Sequence, residues 1–278
     1  MTRKKIQKFL KYLILCIISI ISVFPFVWML LGMTNTTVDI TAGKLQIGSQ
    51  FIHNLNSLFT SDLGFLDALK NSAVAATITT LSALLISSAA GYAFEIYKSK
   101  KRDKVFNVLL LSMMVPFAAI MIPLFRMFSK VSAMGFDMIG IDSFISLIIP
   151  SVSTAFLIFF FRQNTKAFSK EMLEAARIDG VSEWGLFFKI YMPTLKNTYA
   201  AAAIITFMNS WNNYIWPLIT IQTPEKRTLP LILSAMGSSY TPDYGMIMCG
   251  IVIATIPTAI IFLIMQKYFV AGMLGSVK

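Results

Sequence analysis

Along the chain, long stretches without a charged side chain alternate with short ones crowded with Lys and Arg. The charge-free intervals run Tyr12–Val38, Asn71–Phe94, Val105–Phe125, Ser143–Phe161, Asn197–Pro224 and Tyr244–Gln266. Within each, apolar residues cover nearly every side with no period-two alternation, and a helix needs about 20 such residues to cross the hydrocarbon core. Six transmembrane helices are therefore predicted, at about 12–33, 71–94, 105–125, 143–161, 197–219 and 246–266. Open strands are excluded, because their edge groups would find no hydrogen-bond partner in lipid. The predicted class is an all-α polytopic membrane protein. With no internal repeat or low-complexity linker, residues 1–278 read as a single transmembrane domain.

Composition agrees: 56% of residues are apolar and only 13% charged, against roughly a quarter charged in a soluble domain. A water-soluble globular enzyme is excluded. The net charge of +11 would suit nucleic acid, but its placement decides otherwise. Of the 24 Lys and Arg, 18 fall in the N-terminal arm, the 95–104 and 162–196 connections and the C-terminal tail, and six fall on the opposite side. The positive-inside rule then places both termini and the 162–196 connection in the cytoplasm. The apolar stretch after the basic arm is too long for a signal peptide and has no small-x-small site behind it, so it reads as a retained first helix.

The spans also exclude chemistry. None of the five later intervals holds Asp, Glu, Lys, Arg or His, the groups that ion- and proton-coupled transporters usually place at membrane depth. This disfavours a proton antiporter and leaves open sodium sites built from carbonyl and hydroxyl oxygens. The only histidine, His53, lies in an outward loop and reads as a solvated residue. No H-E-x-x-H and no pair of intramembrane aspartates is present, so no catalytic or metal-ligating residue is assigned. Cys16 and Cys249 match no metal spacing and read as packed thiols. The chain also lacks a G-x-x-x-x-G-K-[ST] phosphate loop, so any ATP-derived work must come from another polypeptide.

The connection over 162–193 is too long for a turn and patterned throughout. Ser169 can cap a helix with Glu171 in its first turn, and Met172, Leu173, Ala175, Ala176 and Ile178 give it a small-residue apolar stripe. Gly180 offers a left-handed stop, and Ser182 starts a second helix through Trp184, Phe187 and Phe188 up to Pro193. A helix-turn-helix at the inner membrane face is predicted, with Glu174 and Arg177 three apart where they can pair. On these residues alone it is equally an interfacial helix touching anionic headgroups or a knob inserted into a partner.

Glu174-Ala175-Ala176, three residues, Gly180, nine residues, Ile190, one residue and Met192-Pro193 resemble the EAA signature of the membrane components of binding-protein-dependent ABC importers. Met192 replaces the signature's Leu, a volume-conserving departure. EAARIDG at 174–180, WNNYIWPL at 211–218 and the ending QKYFVAGMLGSVK from Gln266 resemble more narrowly the maltose-transporter type of sugar permease. The resemblance covers the chain from about Asn71 onward.

It implies a bacterial cytoplasmic-membrane subunit that pairs with a second permease, two cytoplasmic ATPases and an extracytoplasmic solute-binding protein. The sugar, an oligosaccharide by family preference, would be the cargo. The ATPases would hold ATP and Mg, and this chain no cofactor. In that family the EAA loop docks in a groove of the ATPase, so Glu174, Ala175, Ala176 and Gly180 would be the coupling positions. The tail Tyr268–Lys278 resembles the family's ATPase-contacting terminus.

A sugar path calls for amides beside aromatic faces, and Asn209, Trp211, Asn212, Asn213 and Tyr214 supply both, with Trp216 and a possible kink at Pro217 following. The alternative for these residues is helix packing, with Asn bonding across helices and Trp anchoring an interface. Pro116, Pro123 and Pro257 mark further bends, and Gly91 a close helix approach. A gradient-driven secondary transporter and a membrane scaffold are the competing functions.

Overall fold

A computed structural model describes residues 3–274; of the C-terminal tail, residues 275–278 lie outside them. Every regular element among the described residues is helical. In order these are α1 (Arg3–Gly32), α2 (Thr37–Thr41), α3 (Phe51–Thr60), α4 (Phe65–Ile96), α5 (Lys100–Ser112), α6 (Phe117–Ala133), α7 (Phe144–Val152), α8 (Ala155–Thr165), α9 (Lys170–Ile178) and α10 (Glu183–Gly185). A π-helical stretch (Leu186–Tyr191) follows, then α11 (Met192–Thr194), α12 (Lys196–Trp211), α13 (Ile215–Thr220), α14 (Leu229–Gly237) and α15 (Tyr244–Leu274).

Three single helices are long and apolar enough to cross a bilayer: Gln7–Gly32, Phe65–Ile96 and Tyr244–Lys267. The three uninterrupted spans predicted between them are corrected by the structure, because each is broken. Residues 105–125 belong to α5 and α6, which meet at 101°. Pro116 causes this bend: its ring lacks an N–H and its ψ of 142° is extended. Residues 143–161 fall in α7 and α8, bent by 41° at Ser153–Thr154, where Thr154 leaves the helix to cap α8 by accepting from Leu157 N. Residues 197–219 divide into α12 and α13 at 212–214. Counting each bent pair that passes as one gives up to five spans by length and composition.

The helices form two compact units. The first comprises the chain up to Phe65 together with Ile232–Pro257. None of the apolar window of α1 is buried, a surface that requires lipid or another protein. Its polar knot follows from the orphan carbonyls at the end of α1. Asn35 Nδ2 donates to the Leu31 and Gln46 carbonyls at 2.8 and 2.7 Å, and Asn54 Nδ2 donates to those of Met33 and Asn35 at 3.0 and 2.9 Å. Asn54 is 3% exposed, and removing its amide strands the buried Asn35 carbonyl, at about 1–3 kcal/mol, and leaves the Met33 carbonyl with only the Cys249 thiol as donor. Asn54→Ala is therefore expected to lower the melting temperature of the detergent-purified chain by several degrees. Asn56→Ala, at an exposed position of the same helix, is expected to leave it unchanged.

The second unit comprises Leu66–Leu231 and the chain from Thr258. It contains the three breaks and the 162–193 segment. One of its cores gathers Ala83, Leu157, Phe161 and Ala202 from α4, α8 and α12, and another gathers Phe128, Leu147, Trp216, Ile221 and Leu231.

Candidate functional site

The three breaks share one cavity of about 450 Å³ within the second unit. Phe117 from the α5–α6 break, Ser151 and Thr154 from the α7–α8 break, and Asn209, Asn213 and Trp216 from the α12–α13 break all line it. None of its lining side chains is charged. Aromatic faces beside amides and hydroxyls suit a neutral molecule that has hydroxyls and an apolar ring face.

Trp216 holds this arrangement in place. Pro150 inside α7 lacks the N–H that would bond the Ser146 carbonyl, and that carbonyl accepts the Trp216 indole N–H instead, at 2.8 Å. The ring is 1% exposed and meets Phe117 edge-on at 6.0 Å. Of the five path candidates, Asn209 and Asn213 reach the cavity. Trp211 is buried and stacks on Phe207 at 5.6 Å. Asn212 donates to the Met208 carbonyl at the end of its own helix, and Tyr214 packs against the cluster around Trp216.

Next to this cluster, Asp142 clamps two loops together, a role sequence reasoning missed. It sits at φ 57°, the one left-handed non-glycine conformation among the described residues. Its Oδ1 accepts from Gln222 N and Thr223 N at 2.8 and 3.0 Å, and Oδ2 accepts from Thr223 Oγ1 and from Lys226 Nζ. Burial alone would raise this carboxyl, but the donors from Thr223, Gln222 and Lys226 outweigh it and hold the pKa at about 2. A depressed pKa contributes stability above the unfolded value and loses it as pH falls through the folded one. Asp142→Asn, which keeps the left-handed backbone, is expected to melt below the wild type at pH 7. That deficit should shrink between about pH 4 and pH 2, a trend measurable by thermal unfolding in detergent.

The 162–193 segment begins inside a helix, since α8 continues to Thr165. Ser169 caps α9 by accepting from Met172 N, Gly180 turns at φ 78°, and Ser182 caps α10 by accepting from Gly185 N. The inner face of this elbow buries Leu173, Ala176, Leu186, Phe187 and Tyr191 against Tyr92 of α4. Glu174 and Ala175 lie exposed on the other face. Around them Ile178 and Trp184 are 87% and 74% exposed, an apolar patch of the kind that marks an interface.

The expected Glu174–Arg177 pair is not formed. Arg177 reaches across Gly180 to Glu183, with Nε–Oε1 at 2.8 Å and Nη2–Oε2 at 3.2 Å. The reason is geometric: the Glu183 carboxylate offers both oxygens to the planar guanidinium fork. Glu174 has no hydrogen-bond or ionic partner among the described residues.

A second missed feature is a buried charge cluster lying one residue beyond two of the charge-free intervals. Arg162 of α8 is 8% exposed and Glu95 of α4 is 3% exposed. Arg162 contacts Glu95 at 3.4 Å and Asp103 of α5 at 2.6 Å, Lys98 pairs with Glu95 at 2.6 Å, and the guanidinium lies 4.0 Å from the centre of the Phe106 ring. Glu95 and Arg162 looked like ordinary flanking charges in sequence; their opposite signs at matching span ends were the available signal.

Residues 83–275 match the family described as the inner membrane component of binding-protein-dependent transport systems. The chain is similar to the lactose transport system permease protein LacG of Rhizobium radiobacter, with 43% identity covering 99% of this chain and 98% of that protein. It is also similar to the arabinooligosaccharides transport system permease protein AraQ of Bacillus subtilis, at 35% identity over 94% of this chain and 92% of that one. A crystal structure of a bacterial ABC transporter involved in alginate import contains a chain of the same fold. There the TM-score is 0.85 at 20% identity, covering 97% of this chain and 99% of that chain.

Proposed function

The chain belongs to the inner membrane components of binding-protein-dependent transport systems, and from that premise we propose that it is the permease subunit of an ATP-powered importer for a neutral sugar, preferentially an oligosaccharide. It crosses the bacterial cytoplasmic membrane six times, the third to fifth crossings as broken helices, with both termini inside. It works beside a second permease. An extracytoplasmic binding protein delivers the sugar, and two cytoplasmic ATPases hold the ATP and Mg.

The observation that carries the reading is the uncharged cavity at three helix breaks. Discontinuous helices are how membrane transporters expose polar backbone to cargo without exposing it to lipid. A phosphate or uronate would call for Arg or Lys in the lining; amides and aromatics favour a neutral saccharide, in keeping with the lactose and arabinooligosaccharide relatives. Asn209 and Asn213 bond the passing hydroxyls. The elbow receives the ATPase through the exposed Glu174, Ala175 and Gly180. Ala176, which the EAA signature also includes, is buried on the inner face and packs the elbow against α4 instead. The elbow's rigid helices carry ATPase closure to the spans.

The test is reconstitution. The complex captured through a tag on this chain is placed in proteoliposomes with its binding protein, and uptake of labelled lactose and arabino-oligosaccharides is followed. Uptake that requires ATP and stops when the ATPases are stripped is expected. Gradient-driven uptake by this chain alone would overturn the proposal in favour of a secondary transporter.

A further inference from the structure

We propose that Tyr97, Arg177 and Glu183 form a positioning triad that fixes the elbow to the end of α4, so that displacement of the elbow is delivered into α4. This rests on the reading of the elbow as the ATPase docking point. The three residues come from three separate segments. Arg177, in the last turn of α9, grips both oxygens of Glu183 at the start of α10. The Tyr97 hydroxyl, just beyond α4, donates to Glu183 Oε2. The Tyr97 ring lies 5.9 Å from the Arg177 guanidinium and 5.5 Å from that of Arg102, which also donates to the Tyr97 carbonyl. Burial, and then the hydrogen bond to the neighbouring carboxylate, push the Tyr97 hydroxyl above its ordinary pKa.

Behind this rim the contact continues inward. Tyr97 meets Tyr92 edge-on at 6.0 Å, Tyr92 meets Tyr191 at 4.7 Å, and the Tyr191 hydroxyl is 2.7 Å from Thr165 Oγ1 of α8. Two residues before Tyr97, Glu95 ties α4 to Arg162 of α8, which in turn holds Asp103 of α5. A push on the elbow thus enters α4 and passes to α8 and α5. From Arg162 to the cavity-lining Thr154 is eight helical residues, about 12 Å at 1.5 Å per residue. α5 leads likewise to the break before Phe117. The end of α4 therefore connects the elbow to two of the three breaks that line the cavity.

The side chains of Arg177 and Glu183 are 37% and 52% exposed, and exposed pairs contribute little to stability. Their conjunction with Tyr97 has its use in geometry: it sets the angle of the elbow while leaving Glu174 free for a partner.

The experiment uses the tagged complex in lipid nanodiscs, with Cys16 and Cys249 replaced by serine and spin labels at Ile178→Cys and Lys101→Cys. Distance distributions between the labels are measured alongside ATP hydrolysis and its stimulation by the binding protein. Tyr97→Phe and Glu183→Gln are each expected to widen the distribution about two-fold and cut the stimulation about five-fold, with basal hydrolysis retained. The Arg177→Gln/Glu183→Gln double variant should be no worse than Glu183→Gln alone, as for a coupled unit. Lys170→Gln, exposed on α9 outside the triad, should change neither readout. Unchanged widths in both single variants would overturn the triad. A wild-type complex that hydrolyses no ATP would instead sink the importer reading, and the widths would still decide the triad.

Discussion

Replacing Gly91 with valine is expected to abolish recovery of folded protein, and replacing it with alanine to lower the melting temperature markedly. Gly91 lies within α4, where α8 crosses it. A Cβ there would stand 2.7 Å from Phe161 Cβ, 2.8 Å from Arg162 N and 3.1 Å from the Ile158 carbonyl oxygen. Two of these three atoms are backbone, so relief requires α8 itself to move. α8 is held from both sides: Phe161 is fully buried, and Arg162 is tied to Glu95 and Asp103.

Helix propensity alone would make Gly91→Ala stabilising by about 1 kcal/mol. Overpacking costs about 1–3 kcal/mol for each inserted methyl-sized group, a large share of a native stability of about 5–15 kcal/mol. The sign of the alanine effect therefore decides whether backbone contact or propensity governs the site. Gly237→Ala, where nothing lies within 4 Å of the added carbon, is the control and should be neutral or stabilising. Thermal unfolding in detergent, with the monodisperse fraction after size exclusion, reads all three.

Gly91 also shows which features sequence makes legible. Local signals survive translation into structure: Ser169 and Ser182 cap their helices and Gly180 turns left-handed between them, because each depends on a few neighbouring residues. The apolar intervals are helical for the same reason. Hydropathy, however, measures the distance between charges, which is insensitive to continuity. The breaks at Ser153–Thr154 and at 212–214 contain no proline and become visible only when neighbouring helices supply partners for the freed backbone.

Pairings across the fold were illegible for a related reason. Arg177 has an acidic neighbour three residues before it and another six after; only the turn at Gly180 makes the second the better partner. The Trp216–Ser146 bond depends on Pro150 vacating a carbonyl 70 residues away in sequence. Among the five amide and aromatic candidates, composition could not separate Asn209 and Asn213, which face the cavity, from Trp211, Asn212 and Tyr214, which pack or cap.

Glu174→Ala is expected to reduce ATP-dependent uptake by the reconstituted complex at least ten-fold while leaving the melting temperature of this chain unchanged. The side chain is exposed and has no hydrogen-bond or ionic partner among the described residues, and surface substitutions of that kind shift stability by less than about 0.5 kcal/mol. A large functional loss must therefore come from something the chain touches outside itself.

Gly180→Val extends the argument. No atom lies within 4 Å of its added Cβ, so the cost is confined to the backbone at φ 78°, about 1–2 kcal/mol for a left-handed residue. The chain should fold, with the angle between α9 and α10 altered, and hydrolysis should continue without uptake. Ala175→Leu, on the exposed face beside Glu174, should instead block close approach and reduce the ATPase that co-purifies. Loss of attachment in one variant and loss of transmission in another would separate docking from coupling. Normal uptake in both Glu174→Ala and Gly180→Val would mean that force enters the membrane helices elsewhere, and the elbow would then be an interfacial helix whose exposed Ile178 and Trp184 face lipid rather than a partner.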